Sequence, residues 1–158
     1  MKNSHSLKLH THIAHPVRTA LSPQDMFIKY AFLADSASLD AAGKLTAMGI
    51  FDTIFSPKFP ARHRDMTLVA YLEGTFSEKG DQKLSVELRD DKGNKLTSYE
   101  QTIALNPTNL RAGIVLKIQD FVFQSPGEYE FVMFVNDRFL GRVTFKVQEV
   151  HVQEVGET

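Results

Sequence analysis

The sequence predicts an all-β fold, a two-sheet antiparallel, immunoglobulin-like sandwich of about eight strands, and three observations carry that expectation. Apolar residues recur at every second position through most of the chain from Phe27 to Val147, and helical spacing is never sustained. Clusters of Gly, Pro, Asn and Asp punctuate the runs, with no helical stretch between them to support a βαβ layer. One run, Phe131 to Val135, is apolar on both faces, which suits a covered sandwich strand better than a barrel stave with one polar face.

Taken in order, strands are expected at residues 27–34 and 45–54. Met66, Leu68, Ala70 and Leu72 then alternate with Thr67, Val69, Tyr71 and Glu73, the pattern of a strand with one face inward. Leu84, Val86 and Leu88 repeat it against charged neighbours, and Lys95 to Leu105 carries it with lower contrast. Three more runs follow: Ile114, Leu116 and Ile118; Tyr129, Phe131, Met133 and Val135; Val143, Phe145 and Val147. Between them, Asp90 to Asn94 is a turn in which Gly93 suits positive φ, and Asn136-Asp137-Arg138 is a tight hairpin. Ser125-Pro126-Gly127 makes a corner, while Asn106 to Asn109 and Ser56 to Asp65 read as longer connections.

A chain of 158 residues fits one core, stable without disulfide or metal. It has no cysteine, which excludes thiolate catalysis, Cys-ligated zinc and disulfide scaffolding. A formal charge of −1 offers no electrostatic reason to expect nucleic acid. No apolar run is long enough to span a membrane, and the N-terminus lacks the apolar stretch of a secretory signal, so a cytoplasmic protein is expected. Four of the six histidines (His5, His10, His12 and His15) precede Met26, in a stretch with two prolines and no usable period. Residues 1–25 therefore read as a flexible arm, vector-derived or misannotated if Met26 is the native start, residues 26–150 as the domain, and 151–158 as a tail. The His10-x-His12 pair lacks the scaffold a metal site needs, and no metal or cofactor is expected.

The stretch YAFLADSASLDAAGKLTAMGIFDTIFSPKF (30–59), its continuation to Leu72 and the closing SPGEYEFVMFVNDRFLGRVTFKV resemble an uncharacterised bacterial family of small immunoglobulin-like β-sandwich proteins. The likeness spans residues 27–148. It implies the fold and transfers no activity and no site residue.

Among candidate sites, the 60–65 connection is the densest cluster of functional groups. Arg62, His63 and Arg64 there suit an anion or partner contact, and His63 near Asp65 has the composition of a base with its orienting acid. Asp90, Asp91 and Asn94 have oxygens for calcium, but a glycine turn accounts for them. Asp35, Asp40 and Gly43-Lys44 lack the glycine spacing of a phosphate cradle. Tyr71 and Tyr99, with Tyr30, are the aromatics expected to face outward and to serve a glycan-binding sandwich. Val132 and Phe134, opposite the inward face of their strand, are expected to join Val69 and Tyr71 in one apolar patch, open to a partner unless a loop or the arm covers it.

No catalytic residue is assigned. The leading expectation is a non-enzymatic interaction module that binds a protein partner or itself through a sheet face or edge strand. A sandwich binding a glycan or another small molecule is the alternative, and a hydrolase-like enzyme centred on residues 60–65 comes last.

Overall fold

The computed structural model describes residues 25–151, so the expectations for the arm upstream of Asp25, including its histidines, and for residues 152–158 lie outside the described residues. Nine strands are present among them: β1 (Phe27–Leu39), β2 (Leu45–Phe51), β3 (Thr53–Ser56), β4 (Ala61–Glu73), β5 (Gly80–Arg89), β6 (Lys95–Leu105), β7 (Arg111–Phe123), β8 (Gly127–Val135) and β9 (Arg138–Glu149). They form two sheets, ordered β2-β1-β4-β7 and β3-β9-β8-β5-β6. Every pairing is antiparallel except that of β3 with β9.

The inward positions of the two sheets share one core. Leu33, Met66, Leu68, Leu72 and Ile114 from the first sheet meet Leu84, Leu88, Phe131, Met133 and Phe145 from the second, all nearly inaccessible to solvent. At one end, Phe123 lies edge-on to Phe121, Tyr129 and Phe145 at centroid distances of 4.8, 4.9 and 6.0 Å. These rings explain how a chain with no Trp and 12 Phe fills its interior. Tyr129 keeps its polar end satisfied by donating to the Ser125 carbonyl at 2.6 Å, which closes the Ser-Pro-Gly corner. Met26 is buried in the same core, and its backbone N–H donates to Glu78 Oε1 at 3.0 Å.

Two elements differ from the sequence reading. The run 45–54 is two strands, because at Asp52 the chain leaves the first sheet and joins the second, where the Asp52 carbonyl accepts from Lys146 N at 2.9 Å. The connection expected at 56–65 ends at Pro60. From Ala61 the backbone is already strand, with Ala61 opposite Phe123, His63 opposite Phe121 and Asp65 opposite Gln119. Its charged side chains carry no apolar alternation, so main-chain pairing decides the structure there.

The turns follow their chemistry. Asp90 Oδ1 accepts from Lys92 N and Asn94 N at 3.0 and 2.8 Å, Oδ2 accepts from Asn94 Nδ2 at 2.9 Å, and Gly93 takes φ 80°. The carboxylate is thus occupied by its own turn. Asp40 does the same, accepting from Ala42 N and Lys44 N at 2.9 and 2.8 Å with Gly43 at φ 76°. The Asn94 side chain, assisted by the two backbone donors, holds the Asp90 pKa below its ordinary value. A carboxylate with a depressed folded-state pKa stabilises above the ordinary carboxylate range and loses that contribution as pH falls through its own value. Asn94→Ala is therefore expected to move the Asp90 titration back up, read by NMR of its side-chain carboxyl; an unchanged titration would mean that the amide is not the cause.

The distal part of the β1–β2 hairpin leaves the plane of its sheet. Ala34 opposite Thr67 is the last β1–β4 pair. Just beyond it Gly49 takes φ 65°, and the Asp35 side chain occupies the space a Cβ on Gly49 would need. The hairpin then curls back across β4, so that the Leu39 side chain lies over Gly113 of β7, 2.7 Å from where a Cβ there would sit. Gly113 is opposite Tyr71, on the face directed away from the core, and that face is consequently roofed by the hairpin.

Candidate functional site

Where β1 departs from β4, residues 61–66 lose a neighbour on one side and a cleft of about 590 Å³ opens. Asp35, His63, Arg64, Asp65, Lys117 and Gln119 contribute to its walls, so the acids and bases balance. Asp65 Oδ1 accepts from Gln119 Nε2 at 3.3 Å. Arg62 points elsewhere: its Nε and Nη2 donate to Asp120 Oδ1 at 3.0 and 2.7 Å, on an exposed surface where such a pair contributes little. Arg64 is exposed and makes no ion pair with a described residue. The three residues singled out as one contact loop are therefore split between two environments.

His63 does not meet Asp65. No described carboxylate comes within ion-pair distance of its ring, which packs edge-on to Phe51 at 6.0 Å. Its Nε2 is buried and has no hydrogen-bond partner among the described residues. A general base needs an orienting acid and reach to a substrate proton, whereas this ring is wedged against an apolar neighbour. His63→Phe is expected to fold and to gain about 1 kcal/mol, because it removes a desolvated polar atom with no partner among the described residues. Urea unfolding checks this, and a loss of stability would mean that Nε2 has a partner in solution.

The four residues expected to form one apolar patch do not do so. Val69 and Tyr71 lie on β4 in the first sheet, and Val132 and Phe134 lie on β8 in the second. Val69 is 1% exposed, under the hairpin roof. Val132 is 2% exposed, between Glu87 and Arg142 in register on the neighbouring strands. Those long side chains lie flat: Arg89 Nη2 donates to Glu87 Oε2 at 2.6 Å, its guanidinium stands 5.7 Å from the Phe134 ring centroid, and Arg142 sits 5.6 Å from that of Phe139. Their aliphatic stems cover the apolar strand while the charged ends reach water. Phe134 itself is half-buried.

The tyrosines likewise make no common platform. Tyr71 is stacked on Tyr30 at 5.2 Å as a cross-strand pair, so one ring face is spent on the other. Tyr99 lies in the other sheet, opposite Val86 and packed against the core, and burial raises its pKa. It is not the outward residue that the pattern of β6 suggested.

What the sequence reading passed over is β2, the edge of the first sheet. Among the described residues it pairs only with β1. Its sequence, LTAMGIF, holds no charge, and Met48 and Ile50 are 65% and 63% exposed. The absence of Lys, Glu or Pro over seven residues was the available signal, since edge strands are usually blunted by such residues. The other long edges carry charges, Lys95 and Glu100 on β6 and Arg111, Lys117 and Asp120 on β7, while the remaining edge, β3, is uncharged but only four residues long.

A family model described as a family of unknown function, DUF6941, matches residues 29–148, nearly the span of the resemblance drawn from the sequence. No curated protein matches the chain. Among solved structures, Pseudomonas fluorescens alkylpurine DNA glycosylase AlkC bound to DNA containing an abasic site analog is 12% identical with a TM-score of 0.52, covering 79% of this chain and 31% of its own. An immunoglobulin-like protein from Pseudomonas aeruginosa is 14% identical with a TM-score of 0.40, covering 78% of this chain and 97% of its own. A β-glucosidase from Listeria innocua, in complex with isofagomine, is 8% identical with a TM-score of 0.47, covering 83% of this chain and 17% of its own. The chain thus spans less than a third of the glycosylase, and at these identities the likeness concerns the fold alone.

Proposed function

The chain belongs to this family of unknown function, DUF6941, and from that premise we propose that it is a non-catalytic interaction module whose working surface is the free edge of β2. The observation that carries the reading is an uncharged edge strand with Met48 and Ile50 exposed. An open strand edge offers a row of backbone donors and acceptors, and an extended segment of another chain can satisfy them while side chains on alternate positions set specificity. The outer faces proposed from sequence offer less, because Val69 and Val132 are already covered within the chain. The cleft beside His63 offers neither an acid for the ring nor an excess of either charge.

No helix among the described residues is long and apolar enough to cross a membrane. With no cysteine to oxidise, the cytoplasm is the setting we propose. The test is a photo-cross-linking amino acid placed at Met48 in the full chain, in cells that express it, with the same residue placed at Lys92 in the β5–β6 turn as control. Adducts are expected from position 48 and not from position 92. A folded protein that gives none from position 48 would overturn the reading.

A further inference from the structure

We propose that the partner at this edge is a second copy of the chain, paired antiparallel β2 to β2 about a two-fold axis at Met48; this rests on the edge reading above. In an antiparallel pair, directly opposite residues share a face and their side chains meet. With Met48 opposite its symmetry mate, Ala47 falls opposite Gly49, Thr46 opposite Ile50 and Leu45 opposite Phe51. The next residues outward are Lys44 and Asp52, both exposed, and this register sets each against the other on the second copy. The uncharged strand is thus bracketed by two symmetry-related opposite-charge pairs. A shift of one residue either way removes both, so charge favours this register over its two neighbours.

Of the remaining edges, β6 has Lys95 and Glu100 on either side of Leu96 to Tyr99, but Glu100 is already paired with Lys83 of the same chain at 3.1 Å, and the other two lack this complementarity. On β7 the uncharged run Ala112 to Leu116 is bracketed by Arg111 and Lys117, and self-pairing would set like charges together. β3 is four residues long. Gly49, the left-handed residue, falls opposite Ala47, the smallest side chain on the strand, so the turn of the backbone there meets little bulk. A short ladder makes a small interface, so a weak dimer is expected, on the order of micromolar.

The experiment is sedimentation of the full chain over a concentration series, with circular dichroism as the check on folding. Lys44→Glu and Asp52→Lys, each alone, replace attraction by repulsion at both ends of the ladder and are expected to weaken the dimer at least about tenfold. An equimolar mixture of the two variants restores both attractive pairs in the heterodimer, so association is expected to return on mixing. No effect confined within one chain would behave that way. Met48→Lys sets like charges on the axis and is expected to abolish the dimer. A strictly monomeric wild-type chain, or singles that mixing fails to rescue, would overturn the inference. A cross-link from position 48 to a different protein, with the wild-type chain monomeric, would overturn the second copy as partner and leave the edge reading standing.

Discussion

Phe123→Ala is expected to cost about 3 to 5 kcal/mol, the usual range for truncating a buried aromatic ring, and to lower the urea midpoint without changing the slope. Phe123 is fully buried and sits edge-on to three other rings. Its loss would remove the apolar area of the ring, the edge-to-face contacts and the close packing of Tyr129, whose hydroxyl closes the corner before β8. The neighbours come from β7, β8 and β9, which belong to both sheets, so collapse into the void would require the sheets to move relative to each other. A cost below about 1 kcal/mol would mean that the ring cluster is not tightly packed.

Val69→Asp is expected to be of similar size, about 3 to 5 kcal/mol, the range for leaving an unpaired charge in the interior. Strand alternation places Val69 on the face away from the core, where an acid would ordinarily be harmless. The position is nonetheless 1% exposed because the β1–β2 hairpin folds back over it, with Leu39 resting on Gly113. Loss of cooperative unfolding, or a greatly lowered midpoint, is the expected result. A variant as stable as wild type would show that the hairpin lifts readily and that the outer face of β4 is open in solution.

Phe123 is out of phase with Ile114 and Ile118 of its own strand, because the alternation shifts at Asp120, which takes φ 55°, so its burial was not readable from the letters. Leu68, Leu84 and Phe131 belong to period-two runs, and burial of one face of a strand follows from local alternation. The fold class, the main strands and the turns at Asp90 and Asn136 were legible for that reason. Val69 and Val132 were not, because what covers them comes from residues distant in the chain or from the flat lie of Glu87, Arg89 and Arg142. The strand at Ala61 to Asp65 was hidden by its own charges, and the apparent loop cluster dissolved once Arg62 found Asp120 and His63 turned toward Phe51. The uncharged edge of β2 was fully visible in the letters LTAMGIF, yet it acquires meaning only when strand order places it last in its sheet.

The crossing at Asp52, where one continuous segment runs from the first sheet into the second, has a mechanical side. β3 and β9 run parallel over four residue pairs, so tension applied along β9 from the C-terminal end loads those rungs together in shear instead of peeling them singly. Since β3 is joined through Asp52 to β2, that load passes into the opposite layer, and a grip on the β2 edge would be felt at the far end of the chain.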